Sequence, residues 1–203
     1  LVPKPVQKPH PPIWMAATVT PESFVNIGKL GWPIMIVPYI APSVSALGEK
    51  VQLYFDAFRE AGHRGKPEVL AFFMLYITDD MDTLRAEIAD RIRAYGVVNE
   101  EPERKMRGDR DPSQYAHFEN LLEKMQYFNY DSLHGGDKAL FGTPQHCAEI
   151  IRLWQREVGI TYTTIMPSWG GLSEETVHNN MRRFAREVIP LVEKSGVLGA
   201  KIT

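Results

Sequence analysis

The sequence is poor in the features that mark secreted, membrane and nucleic-acid-binding proteins. Its one cysteine, Cys147, allows no internal disulfide bond and suits a reducing compartment. The longest apolar stretch, residues 32–41, is too short and too interrupted by prolines to span a bilayer. The net charge is −2, and 23 basic residues are interspersed with 25 acidic ones, which leaves no basic surface for nucleic acid. We therefore expect a soluble, cytoplasmic protein without membrane or nucleic-acid partners.

Common nucleotide-binding, hydrolase and metal-binding motifs are also missing. There is no Gly-x-Gly-x-x-Gly, no P-loop and no Gly-x-Ser-x-Gly, which removes the simplest nucleotide-binding and hydrolase interpretations. The six histidines have neither His-x-x-x-His spacing nor a carboxylate pattern typical of ligands, so we predict no metal site. Residues 2–13 lack the regions of a signal peptide and resemble a proline-stiffened connector. A chain that opens on such a connector is expected to have lost what came before it.

Alternating strand and helix patterns predict the fold class. Segments with the β-branched and aromatic composition of buried strands cover residues 13–18, 34–40, 68–78 and 160–167. Helical patterns cover residues 20–31, 44–61, 79–95, 144–158 and 173–191, with Thr143 and Ser173 as N-caps of the last two. This order favours one parallel α/β domain over residues 1–203, which right-handed crossovers would curl towards a barrel. A complete eight-stranded barrel usually needs roughly 250 residues, so four strands predict part of one.

Residues 98–140 interrupt this alternation. They begin with a run of mixed charges, which we interpret as a solvated loop, and continue through a helical pattern with Tyr115, Phe118, Leu122 and Met125 on one side. Residues 130–140 have the glycine-rich composition of a mobile loop. We interpret the whole region as a variable insertion before the last strand and helix. Its end is either a plain surface connection or a lid near the barrel mouth.

Three sequence segments resemble one enzyme family. GTPQHCAEII, followed by VGI, a strand and RRFAREVIPLVEK, is similar to the carboxyl-terminal end of the bacterial luciferase-like flavin monooxygenases. PKPVQKPHPPIWMAA resembles the approach to that family's fifth strand, and LYITDDMDTLRAE resembles its seventh strand and the helix that follows. The resemblance implies a (β/α)₈ barrel, of which this chain covers strands five to eight. The family's catalytic histidine and the arginines that pair with the flavin phosphate belong to the absent half, so the catalytic residues here are unknown.

The loop after the first predicted strand is the candidate cofactor site. The resemblance implies that Thr18, Val19, Thr20 and Ser23 hold the phosphate of reduced FMN, and that small Ala17 lets the ring system approach the strand end. The chemistry is reasonable because a helix N-terminus offers unpaired N–H groups to an anion. In the alternative interpretation, Thr20 only caps the helix.

Further residues are weaker candidates for a pocket around the flavin ring or the substrate. Trp14, Met35, Met166 and Trp169 lie in or beside strands that should line the barrel. The alternative interpretation is that these methionine and aromatic side chains belong to the core.

The resemblance implies a monooxygenase that uses reduced FMN to activate O₂ as a peroxyflavin and oxidises a small organic substrate. It also implies a separate flavin reductase and a homo- or heterodimer. Two alternatives stay open: a deazaflavin-dependent oxidoreductase of the same family, and a truncated, non-catalytic flavin-binding accessory subunit. The accessory subunit is considered because half a barrel exposes strand edges that a partner must cover.

Overall fold

The computed structural model of the protein describes residues 4–8, 10–106 and 128–193. The strands are β1 (Met15–Ala16), β2 (Ile34–Ile36), β3 (Val69–Ile77), β4 (Leu140–Gly142) and β5 (Tyr162–Met166). The helices are α1 (Pro21–Leu30), α2 (Val44–Glu60), α3 (Leu84–Met106), α4 (Tyr130–His134), α5 (Pro144–Glu157), α6 (Glu174–Arg183) and α7 (Ile189–Glu193). The predicted helix around residues 115–125 lies outside the described residues.

Every described strand pairs in parallel, as the alternation predicted. Residues 13–18 and 34–40 form shorter strands than expected. The second strand stops early because Pro38, which has no N–H to donate to a sheet, opens a 3₁₀ turn at Pro38–Ile40. Strand β4 was not predicted at all, because three residues that end at Gly142 are too few to show an alternating pattern.

Strand β4 lies on the same edge of β3 as β2. The carbonyl of Val69 accepts a hydrogen bond from the N–H of Thr161, just before β5, whereas the carbonyl of Glu68 accepts one from the N–H of Ile34 on β2. The backbone N–H and C=O groups of even-numbered residues in and beside β3 therefore point towards β2. Because the N–H of Thr78 donates to the carbonyl of Gly142 at 3.0 Å, β4 continues the β2 edge beyond the end of β2. The outer edges of β1 and β5 pair with no other described strand.

One face of the sheet, called the outer face, carries most of the helices. Side chains of Ala71, Phe73 and Leu75 on β3 point to this face and are fully buried. They belong to one core with apolar residues of α1, α2, α5 and α7. This layer matches the alternation of strands and helices in the sequence.

Helix α3 packs on the opposite, inner face, which was not expected. Its stripe of Leu84, Ile88 and Ile92 is fully buried, as the helical spacing predicted, but it lies in a second core with Met74 and Trp169. The stripe identifies a packed side of the helix without specifying which face of the sheet receives it. Helix α4 belongs to the same core, so residues 130–140 are not the plain glycine-rich loop that was predicted.

Two helix ends differ from the prediction for local reasons. Helix α3 does not stop at residue 95 but runs through Gly96, whose missing side chain leaves room for Phe128. Helix α6 continues through a π-helical turn, Phe184–Val188, in which Ile189 N–H bonds to the carbonyl of Phe184. The wider turn fits the proline at position 190, which lacks an N–H and whose ring would clash with the carbonyl four residues earlier.

Candidate functional site

The carboxyl ends of the parallel strands bring the candidate residues to one end of the sheet. Residues of parallel strands meet at this end, where the active sites of barrel enzymes are built. Ala17 follows β1 and is buried, with its N–H bonded to the carbonyl of Met35 at 3.0 Å. Thr18, Val19 and Thr20 are half-buried and connect β1 to α1.

The hydroxyl of Thr20 is not used as a helix cap. Thr20 has φ −82° and ψ 117° at the N-cap position of α1, and its carbonyl accepts from Ser23 N–H at 3.0 Å. Its side chain makes no capping hydrogen bond, in contrast to Thr143 and Ser173, whose hydroxyls cap α5 and α6 as predicted. The first turn of α1 also contains the exposed carboxylate of Glu22. The loop therefore offers an uncommitted hydroxyl at a helix N-terminus, next to one solvated negative charge, but Pro21 has no N–H and that of Ser23 is already engaged.

Of the four weaker candidates, Trp169 is buried in the second core and Met166 packs against it, while Met35 lies elsewhere on the inner face. Met35 is half-buried beside Leu70 on the inner face, and Met166 pairs in register with Met74. Trp14 touches the ring of Tyr162, with ring centroids 5.2 Å apart and at 82°.

Trp169 is a core residue. It is 3% exposed, and its indole N–H donates to the carbonyl of Leu75 at 3.0 Å. Its ring lies 5.2 Å from that of Phe141. The structure therefore places Trp169 in the second core, and its role in a pocket stays a prediction.

Three tyrosines of the inner face were missed by the sequence analysis. Tyr39, in the turn after β2, and Tyr95, on α3, hydrogen-bond through their hydroxyls, and Tyr95 also contacts the sulfur of Met166 at 3.6 Å. Tyr76 donates to Glu87 at 3.0 Å. Burial is the main cause that raises the pKa of Tyr39 and of Tyr76 to about 12, so both remain protonated donors at neutral pH. No sequence signal singled them out, because Tyr39 fell inside the predicted strand, residues 34–40.

The rim of the sheet beside β4 holds two histidines in contact. The rings of His134 and His146 lie 5.4 Å apart, and burial together with His146 lowers the pKa of His134. Among the described residues, no cluster of three or more histidine, cysteine or acidic side chains is arranged to hold a metal ion. Nearby, burial raises the pKa of Cys147 to about 12, so its thiol is a poor nucleophile at neutral pH.

Lys138 connects the residues before β4 to the turn after β2. Its side chain is fully buried, and Nζ donates to the carbonyl of Ala41 at 2.8 Å and to the hydroxyl of Ser132 at 2.7 Å. Burial lowers the pKa of Lys138 from its ordinary value of 10.5 to about 8.

The depressed pKa of Lys138 predicts a pH-dependent stability. Between about pH 8 and 10.5 the unfolded chain keeps a proton that the folded protein has released, so the free energy of unfolding rises with pH in this window. Over this window the free energy of unfolding should rise by about 1–3 kcal/mol more for the parent protein than for Lys138→Met. The tyrosines that also titrate here are present in both proteins, so they do not affect the difference. Urea unfolding of both proteins from pH 7 to 10.5 measures this gain. Parallel pH curves would show that the amine titrates normally.

None of the helices in the described part of the chain combines the length and the hydropathy that a membrane-spanning segment needs.

The structure is a parallel α/β sheet with helices on both faces, and it superposes on about half of several luciferase-like TIM-barrel proteins. The luciferase-like monooxygenase family matches residues 1–162. The chain belongs to this family, which confirms the resemblance. A comparison with curated protein sequences finds no match.

Three solved structures illustrate the similarity. Monooxygenase RslO1 from Streptomyces bottropensis is 23% identical with a TM-score of 0.63, over 91% of this chain and 49% of that one. The oxygenating constituent of 3,6-diketocamphane monooxygenase from Pseudomonas putida, solved with FMN, is 16% identical with a TM-score of 0.55, over 89% and 49%. The coenzyme F420-dependent tetrahydromethanopterin reductase from Methanopyrus kandleri is 16% identical with a TM-score of 0.53, over 88% and 50%. This chain thus spans about half the length of each.

Proposed function

We propose that the chain is the carboxyl-terminal half of a monooxygenase that depends on reduced FMN and oxidises a small organic substrate. Membership of the luciferase-like monooxygenase family carries the proposal. The bound flavin would supply the activation of O₂. The chain's own residues would hold the cofactor, exclude water and position the substrate.

The loop after β1 is the proposed phosphate site. The hydroxyls of Thr18, Thr20 and Ser23 and the backbone N–H of Glu22 would donate to the phosphate oxygens. Pro21 has no N–H, and that of Ser23 already donates to the Thr20 carbonyl. The free hydroxyl of Thr20 supports this role, because a side chain engaged in capping would not be available. Ala17 is buried in the outer-face core, so the approach of the flavin ring to this strand end stays a prediction. Met35 and Met166 would flank the ring or the substrate from the inner face.

Thr20→Glu should weaken FMN binding about a hundredfold or more, because the new carboxylate would occupy the anion site and repel the phosphate. Glu22→Gln should strengthen binding a few-fold, since it removes a negative charge from the same helix turn. Glu175→Gln, the same change in the first turn of α6, should leave it unchanged and serves as the matched control. Titrations of FMN, oxidised and then reduced under anaerobic conditions, measure all three by flavin fluorescence or absorbance.

Two outcomes would contradict the phosphate site. Thr20→Glu binding FMN as tightly as the parent chain would place the phosphate elsewhere, and no saturable binding to the parent chain would mean that this half carries no usable site. A parallel titration with coenzyme F420 addresses the deazaflavin alternative, which the similarity to an F420-dependent reductase favours. Tighter binding of F420 than of FMN would replace the monooxygenase proposal with hydride transfer.

The proposed partners rest on the two outer edges of the sheet. Within the described residues, the outer edges of β1 and β5 pair with no strand, and a second four-stranded half barrel would satisfy their backbone groups. We propose that such a half, on the same or another polypeptide, completes the flavin site, and that a separate reductase supplies reduced FMN to a homo- or heterodimer. The free edges equally favour an accessory flavin-binding subunit, which would bind FMN without turning over substrate. Buried Cys147 supports a cytoplasmic location.

A further inference from the structure

A cavity of about 330 Å³ opens at the carboxyl end of the sheet, between α3 and the loop that follows β5. Its lining residues are Ala94, Tyr95, Val98, Ser168, Trp169, Gly170, Gly171 and Leu172. The volume is at the lower end of the range for pockets that bind small molecules. Tyr95, which forms part of the wall, also reaches Met166 and Tyr39 on the inner face. The cavity therefore adjoins the region where the strand ends meet.

The walls of the cavity are fixed by close contacts. Arg91 on α3 donates from Nη1 to the carbonyl of Gly171 at 2.6 Å and to that of Gly170 at 3.4 Å. The backbones of α3 and the loop are so close that a Cβ atom on Gly170 would lie 2.5 Å from the carbonyl oxygen of Arg91. Trp169 is anchored to β3 through its indole N–H. Such contacts preserve the shape of the cavity before a ligand arrives, which favours binding.

The chemistry of the lining selects against charged ligands. None of the lining residues carries a carboxylate, amine or guanidinium; the guanidinium of Arg91 adjoins the wall, where it already donates to the two glycine carbonyls. The remaining polar groups are the hydroxyls of Ser168 and Tyr95. An ammonium in this cavity would lose water without gaining an opposite charge, and a carboxylate would meet only a guanidinium that already donates to two carbonyls. An apolar molecule gains from burial against Trp169 and Leu172.

We propose that this cavity binds the organic substrate and that the substrate is a small, neutral, largely apolar molecule. This inference rests on the proposed monooxygenase function and adds its substrate class. It distinguishes the chain from enzymes of the same fold whose substrates are anionic: a similar structure, EDTA monooxygenase from Chelativorans sp. BNC1, is named for a polyanion. Tyr95, Trp169 and Leu172 would set the shape of the accepted molecule, and the hydroxyl of Ser168 is available to a single polar group.

A matched pair of probes and a matched pair of variants test the inference. Methyl naphthoate is neutral, and naphthoate has the same ring system with a negative charge. Val98 and Val97 are neighbours on α3, 69% and 56% exposed, but only Val98 lines the cavity. Both valines can therefore be replaced by aspartate with little effect on folding. Probe fluorescence anisotropy measures the dissociation constants for the parent chain, Val98→Asp and Val97→Asp.

The expected result has two parts. The parent chain binds the neutral ester saturably and at least tenfold more tightly than the anion. Val98→Asp weakens the ester about tenfold, whereas Val97→Asp leaves it within twofold of the parent. Equal affinity for ester and anion, equal effects of the two aspartates, or no saturable binding of the ester would each overturn the inference.

The FMN titration of the same proteins separates the two proposals. FMN binding that depends on Thr20, without ester binding, would overturn the substrate class and leave the proposed function standing. Ester binding that responds to Val98→Asp, without FMN binding, would support an apolar site and contradict the flavin proposal for this chain. Loss of FMN binding in Val98→Asp would mean that the cavity holds part of the cofactor, which also overturns the inference.

Discussion

Replacing Trp154 with alanine is expected to lower the free energy of unfolding by about 3–5 kcal/mol. The side chain is fully buried in the outer-face core, where its ring lies 5.5 Å from that of Phe73 at 85°. Its indole N–H donates to the carbonyl of Asp137 at 2.6 Å, which fixes the turn before β4. The substitution therefore opens a large cavity and leaves a carbonyl without its donor. Urea denaturation followed by far-UV circular dichroism measures the loss.

Two further variants separate the contributions at Trp154. Trp154→Phe keeps most of the apolar volume and loses the hydrogen bond, so it should cost less than the alanine variant. Leu53→Ala removes a 39% exposed leucine from α2 and should cost much less than either. A loss below about 1 kcal/mol for Trp154→Ala would contradict the packing of α5 against β3 described above.

The second large effect is expected at Gly170, where an alanine should cost about 3–4 kcal/mol. Its φ of +57° is unfavourable for a side chain, and the added Cβ would collide with the backbone of Arg91. Relief of the collision requires the loop after β5 to separate from α3. The free energy of unfolding is again the measurement, and the affinity for methyl naphthoate should fall with it because the cavity lies between the same two elements.

Gly62→Ala is the control that isolates the collision at Gly170. Gly62 has a φ of +72°, but a Cβ placed there meets nothing within 4 Å. The free energy of unfolding of this variant should fall by only about 1 kcal/mol, the cost of placing a non-glycine residue at positive φ. The variant should bind the ester as the parent does. If the two alanine variants lose the same stability, the close approach of α3 to the loop is wrong.

Local sequence signals predicted the elements that depend on local chemistry. Thr143 and Ser173 cap α5 and α6 through their hydroxyls, as expected from a threonine before a proline and a serine before two glutamates. The last strand was predicted at residues 160–167 and is observed at Tyr162–Met166, between glycines that bound it in the sequence. Such signals depend on residues that are close in sequence, so they predict the element correctly without knowledge of its tertiary contacts.

The features that depend on distant contacts could not be predicted from the sequence. Helix α3 has the amphipathic spacing of any barrel helix, and only its contacts with Met74 and Trp169 assign it to the inner face. Strand β4 exists because three residues meet the far end of β3. The Tyr39–Tyr95 pair joins residues 56 positions apart in the chain. The phosphate loop stays a prediction, which the FMN titration tests.

The hydrogen bond between Thr78 and Gly142 has a consequence for how this fold diversifies. It holds together the two ends of the long excursion that carries α3 and α4 across the inner face. Because the excursion leaves and re-enters the sheet at adjacent points, a shorter or longer segment can replace it without displacing β3 or α5, and the entropic cost of added length grows slowly. The sheet and its outer helices can therefore stay constant while the segment between β3 and β4 varies in length and sequence.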